Sequence, residues 1–122
     1  MRLKAIDVDL SICKLTGAAQ IDFSREFTFL AHTDEELSLV CPTETAPTAM
    51  AERDDGWRAF RIEAQLDFSL VGVLAKIAAI LAQADIAIFA ISTYDTDYVL
   101  TRKERFEQAL EALQAAGYEI ER

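Results

Sequence analysis

With 122 residues the chain has room for one compact unit, or for two very small ones sharing a core. A hydrophobic fraction of 52% supports a folded core and excludes a disordered chain, and no apolar run approaches the roughly 20 residues that span a bilayer. Twelve basic against 21 acidic residues leave a net charge of −9, which repels nucleic acid and anionic membrane surfaces alike.

In chain order, Ile6, Val8, Leu10 and Ile12 alternate with Asp7, Asp9 and Ser11, the two-residue period of a strand. Asp7 and Asp9 also stand where a secretory signal would need its apolar centre, so a cytoplasmic location is expected. Phe27, Phe29 and Ala31 suggest a second strand, pairing with Glu36 to Cys41 across Thr33-Asp34-Glu35. Short helices are expected over Ala19 to Arg25 and Thr45 to Glu52, the latter interrupted by Pro47. Arg53-Asp54-Asp55-Gly56 reads as a linker. Cys13 and Cys41 each sit in a strand-like run and are expected as buried free thiols. Two isolated cysteines and the single histidine, His32, make a poor metal-ligand set, so no metal and no cofactor are expected.

The second half has the clearer periodicity. Phe60, Ile62 and Ala64 alternate with Arg61 and Glu63 as a strand. Leu70, Val73, Leu74, Ile77, Ile80, Leu81 and Ala84 recur at helical spacing and leave Lys76 and Gln83 toward water. Ile86 to Ile91, almost wholly apolar, suits a central strand, and Thr96 to Leu100 pairs back on it. Thr101 and Glu104 have the spacing of a capping box for a helix buried along Phe106, Ala109, Leu110 and Leu113, with Gly117 to stop it and Tyr118 to Glu121 as a last strand. The order strand, helix, strand, strand, helix, strand defines a ferredoxin-like α+β fold. The first half repeats it weakly, with shortened helices. The expected organisation is two βαββαβ units in tandem, 1–56 and 57–122.

Two stretches stand out chemically. The turn Ser92-Thr93-Tyr94-Asp95-Thr96-Asp97 packs hydroxyls, a phenol and two carboxylates into six positions, more than a bare connection needs. The connection Asp67-Phe68-Ser69-Leu70-Val71-Gly72 leads into the first helix, whose unpaired amides and positive dipole end attract a carboxylate. Capping by Asp67 or Ser69 is the structural alternative. An aspartyl-phosphate enzyme is disfavoured despite Asp95-Thr96-Asp97, because the chain has no room for the larger doubly wound fold and its magnesium site. No phosphate loop, dinucleotide fingerprint or nucleophile elbow is present, and no nucleophile is placed beside a base. Helix start and polar turn fall near one end of the sheet, which suits a ligand carrying both carboxylate and ammonium.

The stretch LDFSLVGVLAKIAAILAQADIAIFAISTYDTDYVL resembles the ACT domain, and within that family the small bacterial tandem-ACT proteins related to the amino-acid (arginine) sensor branch. Thr33 to Cys41 is similar to the TxxELSIVC segment of the first such unit, and Gly56-Trp57-Arg58-Ala59 to the opening of the second. The resemblance implies a non-catalytic regulatory protein that binds a small molecule, an amino acid or related metabolite, at the junction of two ACT units. It implies a regulated protein partner and leaves a homodimer open. Carried over by position, Asp67, Phe68, Ser69, Leu70, Gly72 and Val73 surround the backbone end of the ligand. Ser92, Thr93, Tyr94 and Asp97 close the other side, with Asp97 for a cationic group, and Ser38 faces the same cleft. The chain departs from the family at Ala64-Gln65 (commonly Gly-Pro) and Leu15-Thr16-Gly17 (often Leu-Pro-Gly). Leu70 stands where arginine-binding relatives carry an acidic residue, which favours a less cationic amino acid. The alternative is an interaction module whose cleft is vestigial.

Overall fold

The computed structural model describes residues 1–17, 21–48, 52–63 and 72–122. Seven strands, two α-helices and two short 3-10 turns follow one another: β1 (Arg2–Lys14), β2 (Phe29–His32), β3 (Leu37–Pro42), a turn at Thr43–Thr45, β4 (Glu52–Ile62), α1 (Val73–Gln83), β5 (Phe89–Ser92), β6 (Asp97–Arg102), a turn at Lys103–Arg105, α2 (Phe106–Ala115) and β7 (Glu119–Glu121). The chain divides into two compact units. One contains Val8–Trp57; the other joins Met1–Asp7 to Arg58–Arg122. The long strands β1 and β4 therefore each contribute to both units.

In the C-terminal unit the strand order is β7-β1-β4-β6-β5. A plain βαββαβ unit would set its last strand beside its first. Here the N-terminal part of β1 takes that place, and β7 pairs with it in parallel, Arg2 opposite Glu119 and Lys4 opposite Glu121. Leu3, Phe60, Ile62 and Val99 of the sheet meet Ile77 and Leu81 of α1 and Phe106, Ala109, Leu110 and Leu113 of α2 in a single core. Of the expected α1 stripe Ile77 and Leu81 are buried, Val73, Leu74, Ile80 and Ala84 half-buried against the core, and Leu70 lies outside the described residues; the α2 stripe is buried, and Lys76 and Gln83 are exposed. Neighbours of opposite alternation, Ile6, Ala59 and Leu100, are buried as well.

Both helices end in the same way. Beyond α1, the amides of Asp85 and Ile86 donate to the carbonyls of Ala82 (3.0 Å) and Leu81 (2.9 Å); beyond α2, those of Gly117 and Tyr118 donate to Gln114 and Leu113, both at 3.1 Å. These are Schellman pairs, and each needs a left-handed residue, Asp85 at φ 60° and Gly117 at φ 104°. Arg105 donates to the terminal carbonyls of α1 at Ala84 (3.3 Å) and Asp85 (3.4 Å).

The N-terminal unit has the order β2-β3-β1-β4. One small cluster joins Cys13, Leu15, Leu39 and Cys41, with Ile21, Leu37 and Ala46 against them, and Leu10, Val40 and Trp57 are buried as well. Neither expected helix forms among the described residues. Residues 21–28 are bends and coil, Thr45 closes a 3-10 turn, Ala46 to Thr48 are non-helical and Glu52 already belongs to β4. Pro47 lacks an amide donor and biases Ala46 away from the helical region.

Four further expectations change. Arg53-Asp54-Asp55-Gly56 is strand, not linker, because Arg53 Nε reaches Asp55 at 2.7 Å and the Ser11 hydroxyl donates to Asp55 at 2.5 Å, tying β4 down. Thr101 does not cap α2: it lies in β6, and the helix opens after Arg105 with no side-chain cap bond. Ile86 to Ile91 does not make a central strand; β5 is an edge and begins at Phe89. The apolar content of that stretch is used earlier, where Ile86 and Ile88 pack against the helical core.

The two hairpins repeat each other. Phe29 and Phe89, Leu37 and Asp97, Thr43 and Lys103 open matching elements 60 positions apart. In each turn a threonine amide donates to the carbonyl three residues on, Thr33 to Glu36 at 2.9 Å and Thr93 to Thr96 at 2.8 Å.

Candidate functional site

The β5–β6 hairpin carries most of the describable candidates. Ser92 and Asp97 are cross-strand partners where it closes. Thr93 fastens the turn, its hydroxyl donating to the Thr96 carbonyl at 2.9 Å, and Thr96 fastens the hairpin to β4, donating to the Ile62 carbonyl at 2.7 Å. Ser92, Thr93 and Tyr94 are exposed, Tyr94 by 80%, and Asp97 is half-buried. The turn is rigid through its threonines while its tip faces solvent.

Alternation divides this hairpin between two faces of the sheet. Val99 lies in the helical core, so Asp97 shares the helix-bearing face with it. On that face α1 opens at Gly72, left-handed at φ 84° and without a side-chain cap bond. A Cβ at Gly72 would meet nothing within 4 Å, so conformation and not crowding calls for glycine there. The Asp97 carboxylate has no hydrogen-bond or ion-pair partner among the described residues. Val73 lines a separate hollow of about 590 Å3 with Lys76, Ile80 and Tyr118. Asp67, Phe68, Ser69 and Leu70 lie outside the described residues. Ser38, in β3 of the N-terminal unit, is half-buried between its strand partners Lys14 and Ala31.

Tyr98 takes the opposite face, and with it Arg61 and Glu63, which the sequence reading treated only as strand residues. Arg61 stands between Phe60 and Ile62, both buried under the helices, and therefore turns away from them. Its Nε donates to Glu63 at 2.9 Å and one terminal nitrogen approaches the Tyr98 hydroxyl at 3.4 Å. Arg61, Glu63, Thr93, Asp95, Thr96 and Tyr98, with Ile62, line a cleft of about 450 Å3. The Arg61 guanidinium holds the Glu63 carboxyl below its ordinary range, and Glu63 together with Tyr98 raises Arg61. Of the predicted residues this cleft contains Thr93 alone. A sequence signal existed: Arg61 and Glu63 are the polar half of an alternating strand, which reads equally well as a solvated face.

In the N-terminal unit a polar chain links Ser11, fully buried, to Thr43 (2.9 Å) and to the Arg53–Asp55 pair. It lies beside the two free thiols, and burial pushes Cys41 up to about 11 and raises Cys13. High, shielded thiols are poor nucleophiles and poor metal ligands. Among the described residues no group of three His, Cys, Asp or Glu side chains could hold a metal ion, and no helix is long and apolar enough to cross a membrane.

Two helices on one face of the sheet define a small ferredoxin-like α+β unit, with a polar cleft at a hairpin end. The ACT domain profile matches residues 52–115, and the chain belongs to the ACT domain family. Protein Atu0741 from Agobacterium tumefaciens is similar over 98% of this chain and 90% of its own, at 29% identity and a TM-score of 0.87. VC0802 from Vibrio cholerae is similar over 91% and 85%, at 28% identity and a TM-score of 0.75. Aspartate kinase from Clostridium acetobutylicum, described as an allosteric enzyme, shares the fold at 12% identity and a TM-score of 0.64, over 93% of this chain and 33% of the kinase. No curated protein sequence matches this chain.

Proposed function

We propose that the chain is a non-catalytic regulatory protein of two tandem ACT units that binds an amino acid or a closely related metabolite. The tandem reading is supported by the hairpins that recur 60 positions apart, each followed by a 3-10 turn; among its described residues the first unit has strands and no α-helix. The observation that supports the ligand reading is that a helix start at Gly72 and the Asp97 carboxylate, neither with a side-chain partner among the described residues, belong to one sheet face. Helix-start amides favour a carboxylate, and Asp97 favours an ammonium or other cation. Ser92, the cross-strand partner of Asp97, would bound that seat. Gly72 permits close approach of the ligand to backbone.

Ligand binding would act by population shift, favouring the arrangement of the protein that a regulated partner recognises. No step of chemistry is required of the chain.

Thermal unfolding in the presence of each of the twenty amino acids tests the reading, because a ligand selective for the native state raises apparent stability by mass action. One or a few should raise the midpoint. Asp97→Asn, which keeps size and strand propensity, should weaken the response at least about tenfold, the worth of a hydrogen bond to a charged group. A flat response across all twenty at millimolar ligand, or full response in Asp97→Asn, overturns it.

A further inference from the structure

We infer that the Arg61 cleft is a second binding site, on the sheet face opposite the helices, for a small carboxylate bearing a hydrogen-bond donor on the adjacent carbon. This inference stands independently of whether the helix start at Gly72 is occupied. The volume of about 450 Å3 lies within the roughly 300–1,000 Å3 of small-molecule pockets. Its one cationic lining residue is a guanidinium already fixed in place: Arg61 is 27% exposed, Glu63 holds Nε, and the remaining hydrogen-bond geometry is loose, at 3.4 Å to the Tyr98 hydroxyl. Among the described residues two of its five N–H donors are thus engaged, and the terminal nitrogen that does not reach Tyr98 keeps its donors for a carboxylate. A fork held in position loses less rotamer freedom on binding than a free arginine does.

Charge decides what else the ligand must carry. Glu63 offsets Arg61, and Asp95 adds a second carboxylate at the rim, so a dianion would meet net negative charge. A group that donates to Asp95 and to the Thr96 hydroxyl oxygen offsets part of that penalty, an ammonium more fully than a hydroxyl. Thr93 and Thr96 spend their own protons on the backbone carbonyls of Thr96 and Ile62, and the Thr93 oxygen also accepts from the Thr96 amide at 3.4 Å, which leaves the Thr96 oxygen as the hydroxyl acceptor of the pair. An α-amino acid and an α-hydroxy acid both satisfy this pattern, whereas a simple alkanoate lacks the donor.

Chemical-shift titration of the 15N-labelled full chain with glycine or alanine, with glycolate or lactate, and with acetate distinguishes these sources. The Arg61 side-chain Nε–H and the amides of Thr93 and Thr96 are the reporters. Amino acid or hydroxy acid should move all three reporters and acetate should move them far less. Arg61→Lys, which keeps charge but not the fork, and Tyr98→Phe should each weaken the saturating class, Arg61→Lys at least about tenfold; Asp97→Asn should leave this response intact. Absence of shifts with both donor-bearing classes at tens of millimolar, equal response to acetate, or Arg61→Lys binding like the parent overturns the inference. Loss of the response in Asp97→Asn instead assigns the ligand to the other face.

Discussion

Asp85→Gly should stabilise the protein. Asp85 occupies the left-handed position after α1 at φ 60°, the place that Gly117 fills after α2. A left-handed L-residue costs about 1–2 kcal/mol, with Asp at the lenient end because its short polar side chain tolerates the region. Glycine removes that strain but loses more chain entropy on folding, about 0.5–1 kcal/mol. Removing a carboxylate from a helix C-terminus returns a few tenths of a kcal/mol more. The balance is a gain of about 0.5–1 kcal/mol, or about 2–4 °C in a chain of this length. Urea and thermal unfolding followed by circular dichroism measure it, and Asp85→Asn separates charge from conformation, since Asn keeps tolerance of the left-handed region. Gly117→Ala is the reverse experiment. A Cβ there meets nothing within 4 Å, so its expected loss of about 1 kcal/mol or more is conformational alone. Asp85→Gly no more stable than Asp85→Asn, together with a neutral Gly117→Ala, would refute the strain argument.

Thr96→Val removes the hydroxyl that ties the hairpin to the Ile62 carbonyl and should cost about 1 kcal/mol in urea unfolding, with increased amide exchange at Thr93 and Thr96. Stability should fall on acidification. Asp55, Glu63 and Glu107 are held below their ordinary values by Arg53, Arg61 and Arg122, so their contribution is complete above the unfolded carboxylate values of about 4 and is lost as pH drops through the lower folded ones. These pairs are solvent-facing, so the fall should be shallow and should shrink in salt. Cys41, at about 11 when folded, has the opposite sign: its stabilising contribution is complete below the unfolded thiol value of about 8.5 and is lost between there and about 11. Ellman's reagent at pH 8 should accordingly titrate both thiols quickly in urea and slowly in the native protein, and equal rates would contradict the burial of Cys13 and Cys41.

What could be read from sequence was whatever depends on local period. The α1 and α2 stripes and the hairpin turns at Thr33 and Thr93 all follow from neighbours within a few positions, and each turn is closed by its own threonine. The exchange of β1 could not be read this way. Nothing in Arg2 to Asp7 distinguishes a strand pairing with Glu119–Glu121 from one belonging to the first half, because the register is set more than a hundred residues away. Arg53 to Gly56 misled for a related reason: charge and glycine signal a loop unless a distant partner, here Ser11, accepts the strand. The Arg61 cleft was illegible because its members come from β4 and from the hairpin some 30 positions on, and only their pairing makes a polar strand face into a pocket.

That pairing bears on how the hairpin can serve two sites at once. Asp97 and Tyr98 are adjacent in sequence, yet a strand sends consecutive side chains to opposite faces, so a ligand at the Gly72 helix start and one at Arg61 are separated by the sheet itself. A single small molecule cannot touch both groups. Asp97→Asn should therefore weaken only the ligand response at the helix start and Arg61→Gln only the response in the cleft, with the two losses additive in the double variant. The element they share is the turn held by Thr93 and Thr96, so Thr96→Val should weaken both ligand responses where each single-face variant weakens one. Strong non-additivity between Asp97→Asn and Arg61→Gln would mean the two faces are coupled, and the assignment of one ligand seat to each face would fall.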